Sequence, residues 1–213
     1  TGLAARASDI TNLVSSMQQQ LIARQQSANQ EVGTMINEVN TLLDNIAELN
    51  MQITKKESGG KDGSQANDLR DRRDSEVLRL AKLIPLQQVV TNDDGLMLQT
   101  LGGDLLTQGS YARNLEVGPV AGSPFDVVKF SDNGMTAVGI ESGGKIGGLM
   151  TIRDTQLADY ISTLDSLAKN LIFSVNQLHS GGTGTTAVTS YTSGLAPVNA
   201  AAAVDADPDR RGT

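Results

Sequence analysis

The sequence predicts a mainly α-helical α+β protein, an elongated bundle of long helices into which a small antiparallel β subdomain is inserted. Two long stretches carry apolar residues at alternating steps of three and four, the spacing of one helix face. Between them, short apolar runs alternate with glycine-containing turns, which is typical of antiparallel hairpins. We therefore expect a discontinuous long-helix domain at residues 1–84 and 143–181 and a β subdomain at residues 85–142.

The first helix is predicted from about Ser8 to Lys56, a stretch without proline. At 1.5 Å per residue it would measure about 70 Å, too long for a compact globule of this size. The second half carries a strict heptad seam: Ala28, Val32, Met35, Val39, Leu42, Ile46, Leu49 and Ile53. Upstream we expect a less regular continuation that slips near Arg24 and Gln25: Ile10, Val14, Met17 and Leu21.

The face of this helix away from the seam is rich in uncharged amides: Gln18, Gln19, Gln20, Gln25, Gln26, Gln30, Asn37, Asn40, Asn45, Asn50 and Gln52. Amide groups cost less to desolvate than charged groups. Two interpretations stay open, an ordinary solvated face and a surface that packs against neighbouring subunits.

A glycine-rich hinge at residues 58–64 precedes a second helix, predicted from about Gln65 to Leu83 and ended by Pro85. Asp62 or Ser64 would cap its N terminus. Such a short hinge predicts an antiparallel helix pair. Aspartates and arginines alternate along the second helix, which favours a salt-bridged face over a pair of catalytic carboxylates: Asp68, Arg70, Asp71, Arg72, Arg73 and Asp74.

Six short strands are predicted after the second helix, at residues 87–90, 96–101, 105–107, 115–117, 127–130 and 136–140. The strongest turn signals are Asp94-Gly95 and Asn133-Gly134, because these residues tolerate a positive φ. A third helix is predicted from about Leu149 to His179, with apolar residues at helical spacing: Leu157, Tyr160, Leu164, Leu167, Leu171, Val175 and Leu178. We expect this row to face the row from Ala28 to Ile53.

The end of the chain carries no helix or strand pattern. Residues 182–213 are small, polar and without periodicity, so we expect a linker or the beginning of a truncated outer domain. The chain begins at Thr1 with neither an initiator methionine nor a signal peptide, so we expect a fragment of a longer protein.

Composition excludes several classes of function. The net charge is −7 and the pI is about 4.7, so the chain lacks the basic surface that nucleic acids and anionic membranes attract. There is no cysteine and a single histidine, His179, which removes thiolate chemistry and the usual zinc sites. We predict that the chain is not an enzyme and has no catalytic residue, no metal ligand and no cofactor; His179 would complement the dipole at a helix end.

Four segments resemble ligand-binding loops without completing them. Residues 139–146 (GIESGGKI) nearly fit a phosphate-binding loop, but Ile146 replaces the metal-binding hydroxyl, which favours a glycine-mediated turn from a strand into a helix. Residues 182–187 (GTGTTA) spell a dinucleotide motif but precede no helix. Residues 92–95 and the aspartates at 205, 207 and 209 lack the remaining ligands of a calcium loop.

Four segments, taken in order, resemble the FlgK family of bacterial flagellar hook-associated proteins. They are residues 46–53 (IAELNMQI), 66–74 (ANDLRDRRD), the turn at 92–95 with Gly102-Gly103, and 143–149 (GGKIGGL) with Ile152-Arg153-Asp154. The resemblance covers roughly residues 8–180. Arg70 and Arg72 depart from the family pattern, which often has Leu and Gln at those positions.

The resemblance implies a flagellin-like helical middle domain of a secreted, extracellular structural protein, an adaptor at the junction between hook and filament that serves flagellum assembly and motility. It implies export by the flagellar type III apparatus, self-association in a ring of subunits, contacts with hook protein and the adjacent hook-associated junction protein, and an export chaperone that binds a terminal segment absent here. No nucleic acid or membrane is expected as a partner. The alternative is another type III-exported helical protein, such as a filament cap or needle-tip component.

Overall fold

The computed structural model describes residues 2–58, 63–90 and 96–180. Two long helices come first, α1 (Gly2–Ser58) and α2 (Gly63–Leu83). Six strands follow: β1 (Leu86–Val90), β2 (Leu96–Thr100), β3 (Leu105–Gln108), β4 (Tyr111–Ala112), β5 (Leu115–Gly118) and β6 (Val127–Phe130). A 3₁₀ turn (Ile140–Ser142) leads to three successive helical segments: α3 (Gly144–Thr151), a π-helical turn (Ile152–Gln156) and α4 (Leu157–Ser180).

The predicted fold class is confirmed, because the chain is mainly helical with a small antiparallel β region. The chain divides into two compact units, Thr1–Asn170 and Leu171–Thr213. The described part of the second unit is the last stretch of α4, residues 171–180. Every contact described below lies within the first unit.

α1 is one uninterrupted helix, as predicted, but its seam differs from the prediction in the first half. Ile10 and Met17 are 43% and 45% exposed, so they do not belong to the seam. The covered positions before Ala28 are also spaced by three and four residues: Thr11, Val14, Gln18, Leu21 and Gln25. The seam therefore continues without a slip, and two glutamines occupy apolar positions in it.

α2 packs antiparallel to α1, as the short hinge predicts. Arg70 is ion-paired with Glu57 near the hinge, and Arg79, farther along α2, approaches Glu38, farther back along α1, at 3.9 Å. α2 begins at Gly63, so Ser64 lies inside the helix rather than at its cap, and Asp62 lies outside the described residues. Among the residues of the predicted salt-bridged face, Arg73 pairs with its neighbour Asp74 at 3.4 Å, whereas Arg70 pairs with an acid of α1 and not with one of its own helix.

The strands form two antiparallel sheets, one of four strands in the order β1-β2-β3-β4 and one of β5 and β6. Five predicted strands are confirmed, and β4 was missed because it has two residues. The strand predicted at 136–140 is wrong: Thr136 makes a single bridge to Lys129, and the chain then enters the 3₁₀ turn. The turn at Asn133-Gly134 is confirmed by a φ of +68° at Gly134, whereas Asp94-Gly95 lies outside the described residues.

One hydrophobic core joins the helices to both sheets. Val39 and Ile46 of α1 belong to the same buried cluster as Leu80 of α2, Leu98 of β2 and Phe130 of β6. Each such side chain contributes about 1.5–3 kcal/mol when it leaves water. Among the described α4 residues of the first unit, 157–170, none belongs to this cluster. The expectation that the rows Ala28 to Ile53 and Leu157 to Leu178 face each other is therefore wrong for the part of α4 in this unit, since α2 and the sheets cover the first row.

The third predicted helix begins earlier and contains an irregularity. α3 starts at Gly144, five residues before the predicted start, and five residues of π helix separate it from α4. On α4, Ile161 and Ala168 are partly covered, whereas Tyr160 and Leu167 are 59% and 55% exposed. The predicted apolar row is therefore displaced by one residue at these two positions.

The glycine-rich loop at residues 139–146 begins a helix, as its interpretation as a turn predicts, although no strand precedes it. Gly144 has a φ of +67°, and a Cβ there would lie 2.4 Å from the carbonyl oxygen of Leu83. The backbone N–H of Gly139 donates to the carboxylate of Glu141 at 3.1 Å. The loop thus fits closely against the end of α2, and its first amide already has an anionic partner.

Candidate functional site: polar docking points and an uncovered helix pair

Several amides of α1 make contacts inside the chain rather than facing a neighbour. Asn40 uses its whole amide on the first residue of β5: Nδ2 donates to the carbonyl oxygen of Leu115 and Oδ1 accepts its N–H, both at 2.8 Å. The Asn40 amide thus occupies both backbone hydrogen-bonding groups of Leu115, as a neighbouring strand would, and it anchors the two-stranded sheet to α1. Asn50 donates to the carbonyl oxygen of Gly109 at 3.2 Å and fixes the β3–β4 turn.

The seam glutamines dock the C-terminal helical segments. Gln18 donates to Asp165 of α4 at 2.9 Å, and Gln25 donates to the backbone oxygen of Arg153 at 2.9 Å. That oxygen belongs to the π-helical turn. The N–H of Leu157 bonds to the oxygen of Ile152, five residues back, and not to the oxygen of Arg153, its acceptor in a regular α-helix. Gln25 donates to that oxygen from α1.

Arg153 forms the centre of a buried polar network. Its side chain is 1% exposed, and its guanidinium donates to both carboxylate oxygens of Asp154 at 2.5 and 3.0 Å and to Oδ1 of Asn29 at 2.6 Å. It also stacks 4.9 Å from the ring centre of Phe125, and Asn29 donates onward to Asp126 at 2.9 Å. α1, the π-helical turn and the loop before β6 are thereby joined at one cation.

Four amides of α1 fit neither of the two interpretations of this face, because they make contacts within the chain. Gln18, Gln25, Asn40 and Asn50 are internal docking groups. Six other amides remain exposed: Gln19, Gln20, Gln26, Gln30, Asn37 and Asn45. Gln52 bonds to Glu48 of its own helix at 2.9 Å.

The first third of α1 and the start of α4 form a helix pair with uncovered apolar side chains. On α1, Ile10, Leu13 and Met17 lie three and four residues apart and are 43%, 60% and 45% exposed. On α4, Tyr160 and Leu167 are similarly exposed. Apolar rows at helical spacing that remain in water are typical of surfaces that other protein segments cover. We call these five residues the uncovered row.

The described residues show no arrangement for chemical transformation. No group of three acidic or histidine side chains among them could hold a metal ion, and none of their helices is long and apolar enough to cross a membrane. His179 lies in the last turn of α4, but its side chain is outside the described part. The motifs at 92–95, 182–187 and 205–209 also lie outside it.

Comparison with known proteins gives consistent matches. Residues 1–191 match the model of the flagellar hook-associated protein FlgK helical domain. The chain is 29% identical over 185 residues to flagellar hook-associated protein 1 of Salmonella typhimurium, and 28% identical over 187 residues to that of Escherichia coli K12. Each alignment covers 84% of this chain, but 33% and 34% of the relatives. The chain thus spans about a third of the length of these curated relatives.

A solved structure supports the fold independently. The flagellar hook junction protein FlgK from Burkholderia pseudomallei matches 70% of this chain and 27% of its own, with a TM-score of 0.59 and 23% identity. Long helices that are joined by polar docking groups and carry an uncovered apolar row are typical of a mainly helical structural protein. The chain belongs to the FlgK family of flagellar hook-associated proteins, whose members are structural components of the bacterial flagellum and not enzymes.

Proposed function

We propose that the protein joins hook to filament, as an adaptor at their junction that works through packing between subunits. The observation that carries this proposal is the match to the FlgK helical domain over residues 1–191. The same match favours the hook-associated family over the filament-cap or needle-tip alternative. Membership makes the protein part of the flagellum, which is extracellular.

We infer the partners from the same membership. They are further copies of the protein in a ring, the hook protein, the adjacent hook-associated junction protein, and an export chaperone that binds a terminal segment outside this chain. The uncovered row supports association through helices, because Leu13 and Tyr160 are 60% and 59% exposed. Covering each large apolar side chain contributes about 1.5–3 kcal/mol to association before the entropic cost.

The exposed amides of α1 fit a packing surface that must adapt when the hook bends. They make contacts without fixed ion pairs, so neighbouring subunits can rearrange at a small electrostatic cost. Subunit contacts that avoid Gln19, Gln30 and Asn45 in a reconstruction of the junction would contradict the role of the amides.

We also propose that the chain is divided into a helical domain at 1–84 and 143–181, a β subdomain at 85–142, and a linker or outer domain from 182.

Deletion of the encoding gene, with complementation by the full-length gene, tests the junction role. We expect hooks without filaments and loss of swimming in the deletion strain, because filament subunits have no surface on which to assemble. Electron microscopy of isolated hooks gives the readout. A full-length variant with Leu13→Gln and Tyr160→Gln should restore fewer filaments than a variant with Arg24→Gln and Glu31→Gln, which changes exposed residues of α1 that belong neither to the uncovered row nor to the exposed amides. Normal filaments in the deletion strain would contradict the proposal.

A further inference from the structure

The turn after β6 contains a chemically labile dipeptide. Asn133 is the one asparagine of the sequence that is followed by glycine. Asparagine is a thermolabile residue, because its side-chain amide can react with the backbone nitrogen of the next residue. Both Asn133 and Gly134 are exposed, and a Cβ at Gly134 would meet nothing within 4 Å. Neither a side chain on the second residue nor the surrounding fold therefore blocks the approach of that nitrogen.

The reaction balances with water as the co-reactant. The nitrogen of Gly134 bonds to Cγ of Asn133, the bond from Cγ to Nδ2 breaks, and the proton of Gly134 leaves with Nδ2 as ammonia. The product is a five-membered succinimide ring. Water that attacks Cγ opens the ring to aspartate, whereas water that attacks the main-chain carbonyl carbon gives isoaspartate, whose backbone is longer by one methylene group.

One hydrogen bond of the turn prepares the amide for attack. Oδ1 of Asn133 accepts the N–H of Met135 at 2.9 Å, so the side chain bends back over the peptide bond that it precedes. Negative charge develops on Oδ1 when the nitrogen of Gly134 bonds to Cγ, and a backbone N–H aimed at that oxygen stabilises the charge. The backbone of the turn thus both positions and polarises the carbon that is attacked.

A second hydrogen bond opposes the reaction. The N–H of Gly134 donates to the carbonyl oxygen of Phe130 at 2.8 Å. The attacking nitrogen must lose its proton, and a proton that is held by a carbonyl oxygen is withheld from the solvent. The turn has to open at this bond before the ring can close, so the rate in the folded protein depends on the population of the open turn.

Arg113 holds the turn closed from the strand side. Its guanidinium donates to both carboxylate oxygens of Asp132, the residue before Asn133, at 2.8 and 3.0 Å. It also lies 3.6 Å from the ring centre of Phe130, the residue whose oxygen binds Gly134. One side chain therefore contacts two residues of the turn, through a charge-assisted bidentate pair and through an aromatic ring.

We propose that Asn133 is a site of spontaneous deamidation and that the pair of Arg113 and Asp132 slows this reaction in the folded protein. Both products place a new carboxylate next to Asp132, where it competes for Arg113. Isoaspartate also lengthens the backbone inside a turn that the N–H of Phe130 closes on the oxygen of Met135 at 2.8 Å. The modification thus loosens the end of the two-stranded sheet. This inference rests on the residues of the turn alone and is independent of the proposed function.

Peptide mapping of the full-length protein tests the site. The protein is incubated at mildly alkaline pH and digested, mass spectrometry quantifies the deamidated peptide, and chromatography separates its aspartate and isoaspartate forms. We expect both forms at Asn133 and neither at Asn45, which is also exposed but precedes Ile46 within α1. Asn133→Gln should remove the signal, because glutamine would have to form a six-membered ring. An intact Asn133, or equal conversion at Asn45, would overturn the assignment.

A comparison of folded and unfolded protein tests the protection by the turn. In urea that unfolds the protein, we expect Asn133 to deamidate at least fivefold faster than in buffer at the same pH, because the bond from Gly134 to Phe130 is then absent. An equal or lower rate in urea would show that the folded turn does not protect the site.

Substitution of Arg113 tests the ion pair. Arg113→Gln should raise the rate in the folded protein at least twofold and leave the rate in urea unchanged, because Arg113 acts through the fold. Arg113→Lys keeps the charge without the bidentate geometry and should give an intermediate rate. Arg79→Gln is the matched control, because its partners Glu38 and Glu76 lie on the helices, and it should change neither rate. An unchanged folded rate in Arg113→Gln, or an equal increase in Arg79→Gln, would overturn the role of the pair.

Discussion

The side-chain amide of Gln25 donates a hydrogen bond to the backbone oxygen of Arg153, 128 residues later in the chain. In an α-helix the N–H of Leu157 would bond to this oxygen, but in the π-helical turn it bonds to the oxygen of Ile152 instead. Gln25 occupies a position of the α1 seam that an apolar residue would normally fill. A polar residue in the seam is thus matched to an irregular turn in the helix that packs there.

We expect Gln25→Leu to destabilise the protein by about 1–3 kcal/mol, because the oxygen of Arg153 loses a buried hydrogen bond. Urea denaturation measures the change in the free energy of unfolding. Gln26→Leu is the matched control, since Gln26 is exposed on the same helix and its substitution should change stability by less than about 0.5 kcal/mol. Equal effects of the two substitutions would show that the hydrogen bond does not contribute.

Arg153→Met should cost about 3 kcal/mol, the lower end of the range for breaking a buried ion pair. The lower end applies because Arg153 is 1% exposed but its partner Asp154 is 41% exposed and keeps part of its hydration. Asn29 also loses a hydrogen bond. Arg153→Lys should recover less than half of the loss, since an ammonium cannot bond to both carboxylate oxygens and Asn29 in the same geometry. Full recovery with lysine would show that only the charge is needed.

Gly144→Ala should destabilise the protein by about 3 kcal/mol or more, since the new Cβ would combine a positive φ with a position 2.4 Å from the oxygen of Leu83. Gly103→Ala separates the two causes. Gly103 has a φ of +87° but open space around the added Cβ, so its substitution should cost only about 1 kcal/mol. Thermal unfolding of both variants gives the comparison, and equal shifts in Tm would contradict the role of the close approach.

The pair Arg113 and Asp132 predicts a dependence of stability on acid pH. Arg113 donates to Asp132 at 2.8 and 3.0 Å, and these hydrogen bonds lower the pKa of the Asp132 carboxyl below its ordinary value of 3.8. A lowered pKa in the folded state means that the contribution is complete above about pH 4 and is lost as pH falls through the lowered value. The difference in unfolding midpoint between the natural protein and Asp132→Asn should therefore shrink towards pH 2. A difference that is constant with pH would contradict the ion pair.

Periodic features were predictable from the sequence, because helix length and strand alternation depend on local patterns. The extent of α1, the antiparallel α2 and five of the six strands follow from apolar spacing, turn residues and Pro85. The FlgK resemblance, carried by short motifs in order, is also confirmed. The sequence alone did not indicate which element covers the apolar row from Ala28 to Ile53, because such a row can pack equally well on a helix or on a sheet.

The polar docking points were not predictable for a different reason. Asn40 and Gln25 look like surface residues in sequence, and only the position of Leu115 and Arg153 in space makes them internal. Arg153 appeared in a family motif, yet a motif does not show that the guanidinium is buried. One signal was present in the spacing: Gln18 and Gln25 continue the heptad of α1, and a buried polar residue in a seam needs a partner.

The π-helical turn decides which side of α4 meets α1. An extra residue in one turn rotates everything after it by about 100° about the helix axis. This rotation places Ile161 and Ala168 on the covered side and leaves Tyr160 and Leu167 in solvent. Deletion of a single residue at 152–156 would therefore turn a different set of side chains at the start of α4 towards α1, although the sequence of α4 itself is unchanged.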